Sequence, residues 1–184
     1  GTLTFQTIRS FYDTLVEPDR SGELVPALAQ GWDVSDDSLV WTFTLRDGVR
    51  FHNGDAFTSA DVKATFERLV DPETASPKAS EFAAIEAIET PDSSTVVFRL
   101  SEPSAPLLAS MASGWGAILP ESLIESGHDF ASEPVGTGPF AFVEWVRDSR
   151  ITMEKNDDYW MDGHPRVDGV VINIIPETAV QVQG

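Results

Sequence analysis

Large apolar side chains take every second place over residues 39–45, at Leu39, Trp41, Phe43 and Leu45, while Thr42, Thr44 and Arg46 occupy most of the places between. A period of two predicts a half-buried strand, one face in the core and one in water. Asp47-Gly48 supplies the positive φ of a two-residue turn, and Val49 and Phe51 resume the alternation on a predicted returning strand. Asn53-Gly54-Asp55 forms a second turn. Thr58, followed three residues later by Asp61, has the form of a helix N-cap. The helix that follows should carry Val62, Phe66, Leu69 and Val70 on one face.

The rest of the chain reads in the same terms. Phe5, Ile8, Phe11, Tyr12 and Leu15 lie at helical spacing, and Pro18 with Ser21-Gly22 ends that helix in a turn. Residues 24–32 predict a short extended piece and a helical turn, and Trp32 and Val34 lead through 35–38 into the opening strand as its antiparallel partner. Phe82, Ile85 and Ile88 have near-helical spacing before a strand. Pro91 to Ser94 then turns the chain into a second hairpin over 95–100. A short helix through Leu107, Leu108 and Met111, a break at Gly114-Trp115-Gly116, a short strand over 117–119 and a helix from Pro120 follow. Residues 127–139 hold three glycines and two prolines with no hydrophobic period, which marks a crossing between substructures. Beyond it, strands around 140–145, 151–153 and 170–175 predict a meander whose last member, apolar on both faces, should be central. The final residues resemble the start of a further helix. The fold class is α+β, a mixed α/β arrangement of antiparallel hairpins and short helices.

Composition narrows the function classes. Twelve basic against 30 acidic residues in 184 give a net charge of −18 at pH 7, and no basic patch is apparent, so nucleic acid and anionic membranes would repel the chain. There is no cysteine, which removes thiol catalysis and thiolate zinc sites. No run approaches the roughly 20 apolar residues that span a bilayer. His52, His128 and His164 stand in separate turns without a second histidine at metal-ligand spacing, and read as lone surface histidines. Gly136-Thr137-Gly138 lacks the Lys-Ser/Thr ending of a phosphate loop and reads as a tight turn before a strand. The adjacent acids Asp36-Asp37 and Asp157-Asp158 could serve as acid and base, but paired acids in polar turns are usually only solvated. Trp32, Trp41 and Trp145 sit where core packing explains them. Trp115, between two glycines and outside any periodic element, can either pack or offer its face to a ligand.

Several ordered motifs resemble the extracytoplasmic solute-binding proteins of peptide and nickel ABC importers, family 5. They are Tyr12-Asp13-Thr14-Leu15-Val16, Leu24-Val25-Pro26-Ala27-Leu28-Ala29 with Trp32, Trp41 through Val49, Phe51-His52-Asn53-Gly54, Phe57-Thr58 with Asp61-Val62, Pro134 through Phe140, and Asn156 through Tyr159-Trp160 to Pro176. The resemblance covers nearly the whole chain. It implies a periplasmic-binding-protein-like type II fold of which this chain is the N-terminal lobe, a fragment lacking the second lobe. Residues 5–130 would be the small accessory domain and 131–184 part of the first ligand-binding domain.

The resemblance also implies a periplasmic or extracytoplasmic monomer, lipid-anchored in some settings, that captures a peptide or similar small polar solute and delivers it to membrane permease subunits. No catalysis, cofactor, metal or nucleic acid is implied. Two other classes remain open at this point: a regulator's sensor built on the same lobes, and a β-rich hydrolase using the paired acids. The family's aromatic contact after the Asp-Pro loop falls at Lys78, a departure that reads either as a ligand contact or as an ordinary solvated lysine. The nickel branch carries an arginine where this chain has Ser113-Gly114-Trp115-Gly116. Lys78, Ser113, Trp115 and Gly116 are therefore the candidate ligand-binding residues.

Overall fold

The computed structural model describes residues 2–147 and 149–174, with side chains from residue 7 onward. In chain order the elements are α1 (Thr2–Phe11), β1 (Val16–Pro18), β2 (Leu24–Pro26), β3 (Ala29–Val34), β4 (Val40–Leu45), α2 (Ser59–Val70), β5 (Ile85–Asp92), β6 (Thr95–Leu100), α3 (Leu107–Met111), α4 (Glu121–Glu125), β7 (Phe140–Val146), β8 (Arg150–Lys155) and β9 (Gly169–Asn173). The alternating run becomes β4, an interior strand of an antiparallel sheet ordered β3-β4-β6-β5. Its neighbours pair Trp32 with Phe43 on one side and Phe43 with Val96 on the other.

One face of this sheet is the core. Phe43, Leu45, Val96 and Phe98 are buried there, and α2 lays Val62, Phe66 and Leu69 over them. Phe66 meets Phe98 nearly edge-on at 5.2 Å, ring edge to π cloud, and lies tilted against Phe82 at 5.4 Å. The helix starts where the sequence predicts. The Thr58 hydroxyl accepts from Ala60 N–H at 3.3 Å, and the Thr58 N–H donates to Asp61 Oδ2 at 2.7 Å, completing a reciprocal cap. The other Asp61 oxygen accepts from Glu121 N–H at 2.8 Å, so one carboxylate begins α2 and fastens the start of α4.

Four expectations give way to longer-range competition. Val49 and Phe51 are buried but form no returning strand, since Arg50 makes only an isolated bridge to Ala56. Both edges of β4 are already occupied by β3 and β6. Residues 24–32 hold no helical turn: β2 pairs with β1, and the chain then enters β3. Residues 117–119 are not a strand, because their backbone groups are bonded elsewhere, Ile118 N–H to Asp13 O at 3.0 Å and Leu119 N–H to Thr65 Oγ1 at 3.0 Å. The first helix ends at Phe11 rather than near Pro18, and Leu15 is buried beyond it.

After residues 127–139 the chain forms a three-stranded sheet, the antiparallel meander β7-β8-β9. The expected order is corrected: β8 is central and β9 lies at an edge, with Val171 55% exposed. Trp145 is likewise not core. It is 43% exposed, with the Arg147 guanidinium 5.7 Å from its ring centre. Ile175 and the expected final helix lie outside the described residues. α1 packs against this sheet, its Phe11 edge-on against Phe142 of β7 at 6.2 Å.

Candidate functional site

The crossing segment docks on the residues that follow α1, and Asp13 is the centre of that joint. Its Oδ2 accepts from Thr137 Oγ1 and from Trp160 Nε1, each at 2.9 Å, and its Oδ1 from Tyr159 O–H at 3.2 Å. Burial pushes the Asp13 carboxyl above the usual carboxylate range, and the three donors pull it back. Arg46 stacks its guanidinium 4.6 Å from the Trp160 ring, holding the indole that donates to Asp13. Close approach is possible because Gly136 and Gly138 have no side chains. A Cβ on Gly136 would stand 2.2 Å from Phe11 O, and one on Gly138 would stand 2.5 Å from Phe11 C. The Gly-Thr-Gly turn is thus a docking surface for the chain's own backbone.

His52 belongs to the same joint and is not a surface histidine. Gly136 N–H donates to its Nδ1 at 3.3 Å, so the proton sits on Nε2, which donates to Gly138 O at 2.9 Å. Burial lowers its pKa, opposed by the bond to Gly138 and by Asp13. A histidine whose folded pKa lies below its unfolded value of about 6.5 contributes stability that is present above that pH and lost as pH falls through it. The unfolded chain takes up the proton first. On lowering pH from 7.5 to 5.5, the melting temperature of the full-length protein should fall more steeply than that of its His52→Gln variant. Parallel melting curves would contradict this role.

Two adjoining hollows open beside the joint. The inner one, about 210 Å³, reaches Tyr12, Asp13, Glu17 and Tyr159. Burial pushes Tyr12 up to about 12 and raises Tyr159 still further, so both stay protonated donors. Glu17 is raised by burial and then by Asp13, and lowered by Arg9. The outer hollow, about 600 Å³, is lined by Arg9, Lys78, Glu81, Ser113, Gly114 and Trp115. Arg9 and Gly114 line both, so the two hollows adjoin at these residues.

Local structure explains the outer wall. Ser113 caps the 3-10 turn Gly114–Gly116: its hydroxyl accepts from Trp115 N–H at 3.3 Å and donates to Ser110 O at 2.6 Å. That turn leaves the Trp115 side chain 37% exposed. Lys78 makes a close ion pair with Glu81, whose carboxyl is held below its usual range by that lysine. The structure therefore brings Lys78, Ser113 and Trp115 together on one wall. Gly116 lies behind it, buried, where a Cβ would stand 2.2 Å from Met111 O. Arg9 escapes the sequence reading because an exposed arginine in the last turn of a helix has no local mark of function. The paired acids converge on nothing: Asp157 pairs with Lys155 at 3.2 Å, and Asp36, Asp37 and Asp158 are exposed in turns. Among the described residues no group of three or more His, Cys, Asp or Glu side chains is placed to hold a metal ion.

Antiparallel sheets, short connecting helices and an open hollow beside the joint between the sheets define a mixed α/β lobe of the periplasmic-binding-protein-like class. The family model for bacterial extracellular solute-binding proteins, family 5 Middle, matches residues 23–184, and the chain belongs to that family. It is 38% identical over 186 residues to Di/tripeptide-binding protein 2 of Pseudomonas aeruginosa, covering 89% of this chain and 35% of the relative. It is 34% identical over 170 residues to the glutathione-binding protein GsiB of Pectobacterium atrosepticum, covering 92% of this chain and 33% of the relative. Among solved structures, AgaA of A. tumefaciens R10 in complex with agropinic acid superposes with a TM-score of 0.94 at 36% identity, covering 100% of this chain and 37% of that one. The chain thus spans about a third of the length of the relatives it matches.

Proposed function

We propose that the protein is the solute receptor of an ABC-type importer, which captures a peptide or similar small polar molecule outside the cytoplasm and hands it to permease subunits in the membrane. The observation that carries this reading is the outer hollow whose wall offers Arg9, Lys78, Ser113 and a partly exposed Trp115, a mixture of charge, hydroxyl and aromatic surface suited to holding a polar solute. Family membership and the ligands named for the relatives, di- and tripeptides, glutathione and agropinic acid, support it. No reaction is assigned to the protein; it binds and releases. Residues 5–130 act as an accessory domain and 131–184 as part of the first ligand-binding domain of a monomer. Lys78, Ser113 and Trp115 contact the solute, and Gly116 sets the turn that presents Trp115.

Solute is held between this lobe and a second one, so the described lobe supplies only part of the contact surface and by itself binds weakly. Calorimetric titration of the full-length protein with dipeptides, tripeptides, glutathione and agropinic acid tests the reading. At least one class should bind with measurable heat and raise the melting temperature. Silence across the whole set at millimolar ligand would overturn it.

A further inference from the structure

The charge in the outer hollow runs against the rest of the molecule. In a chain with 12 basic and 30 acidic residues, this wall carries two cations, Arg9 and Lys78, against one acid, Glu81. Lys78 and Glu81 are already partners, so that pair is internally balanced. Arg9 is not. Its described hydrogen bond is one long contact from Nη2 to Ala112 O at 3.5 Å, and no carboxylate lies within 4.0 Å of it among the described residues. Glu17, in the inner hollow, feels its charge only at a distance. The outer hollow therefore presents a planar guanidinium with five N–H donors, with no carboxylate at ion-pair distance among the described residues, beside the partly exposed Trp115.

We infer that the solute carries a carboxylate that seats on Arg9, with Lys78 flanking it and the neighbouring part of the solute lying against Trp115. This rests on the receptor reading above and adds the chemistry of the ligand. An arginine fork matches the two oxygens of a carboxylate, and the charge-assisted pair is stronger than a neutral hydrogen bond. Closing a second lobe over the hollow would strip water from Arg9, and burying a guanidinium without a partner is costly. An anionic solute supplies that partner; a neutral solute leaves the charge stranded, and a cationic one adds repulsion. Lys78 is placed by Glu81 rather than consumed by it, since an ammonium has three donors.

The test uses the full-length protein and dipeptides, tripeptides and glutathione, each titrated calorimetrically as the free acid and as its carboxamide. Wild-type protein should bind the acids at least tenfold more tightly than the amides. In Arg9→Gln the acids should weaken by tenfold or more while the amides change less than twofold, and Lys78→Gln should have the same pattern with a smaller loss. Circular dichroism and melting temperature establish that both variants fold; either substitution lies on exposed or half-exposed side chain outside the core. Acids and amides binding alike, or acid affinity unchanged in Arg9→Gln, would overturn the carboxylate inference and leave the receptor reading standing. No binding of any probe in either form would overturn both.

Discussion

Replacing Gly138 by alanine should destabilise the protein by about 3 kcal/mol, at the upper end of what one added methyl does in a packed interior. The new Cβ would meet main chain: Phe11 C at 2.5 Å, and Phe11 O and Tyr12 N each at 2.7 Å. Backbone cannot swing aside as the tip of a side chain can, so the crossing segment must lift away from the end of α1. Lifting it strains four hydrogen bonds at once. Gly138 N–H donates to Phe11 O at 2.9 Å, the Gly138 carbonyl accepts from His52 Nε2 at 2.9 Å and Asn156 Nδ2 at 3.0 Å, and Thr137 donates to Asp13. Gly31→Ala is the matched control. Nothing lies within 4 Å of its Cβ position, and the midpoint of chemical denaturation should stay within about 0.5 kcal/mol of wild type. Equal midpoints for the two variants would show that the joint is not close-packed.

Asp13→Ala should cost about 2 to 4 kcal/mol through a different route. It removes the shared acceptor of three donors, and a buried donor left unsatisfied costs roughly 1 to 3 kcal/mol. The hydroxyls of Thr137 and Tyr159 can rotate toward other partners. The Trp160 indole N–H cannot, being fixed in direction and held under Arg46. Release of a desolvated carboxylate offsets part of the loss, which is why the sum is smaller than three full penalties. Asp13→Asn keeps one carbonyl oxygen but turns an NH₂ toward other donors, so it should fall between wild type and alanine. Denaturant melts that rank asparagine below alanine, or leave alanine within about 0.5 kcal/mol of wild type, would contradict the network.

Signals complete within a few residues were legible in the sequence. The Thr58–Asp61 cap, the alternation of β4, the hairpin of β5 and β6 and the succession of β7, β8 and β9 follow from local periodicity and turn chemistry, and the structure has each of them. What depended on a distant partner was not. Nothing within residues 39–51 says that the second edge of β4 belongs to a strand some fifty residues later, so a local hairpin was the natural expectation. His52 looked solitary because its partners, Gly136 and Gly138, are more than eighty residues away. The same distance hid the reason for the two glycines, which is the backbone at Phe11.

The site divides the same way. Trp115 stood out because it interrupts the hydrophobic pattern between glycines, and Lys78 because a charge stands where the resembling family places an aromatic ring. Arg9 had no such mark. It matters because the fold brings the last turn of α1 against the wall formed by Ser113 and Trp115, a juxtaposition of residues more than one hundred positions apart. The β4 hairpin region, the most readable part of the chain, is scaffold: its buried side chains build the core beneath α2.

As a receptor, the protein holds its solute against Trp115. The full-length protein labelled with 5-fluorotryptophan, its Trp115 resonance assigned by loss in Trp115→Phe, measures this most directly during titration with a di- or tripeptide that binds by calorimetry. The Trp115 ¹⁹F resonance should shift with the same saturation curve as the heat, while Trp41, packed against the core, stays in place. Saturation of the heat with the Trp115 resonance unmoved would place the solute elsewhere.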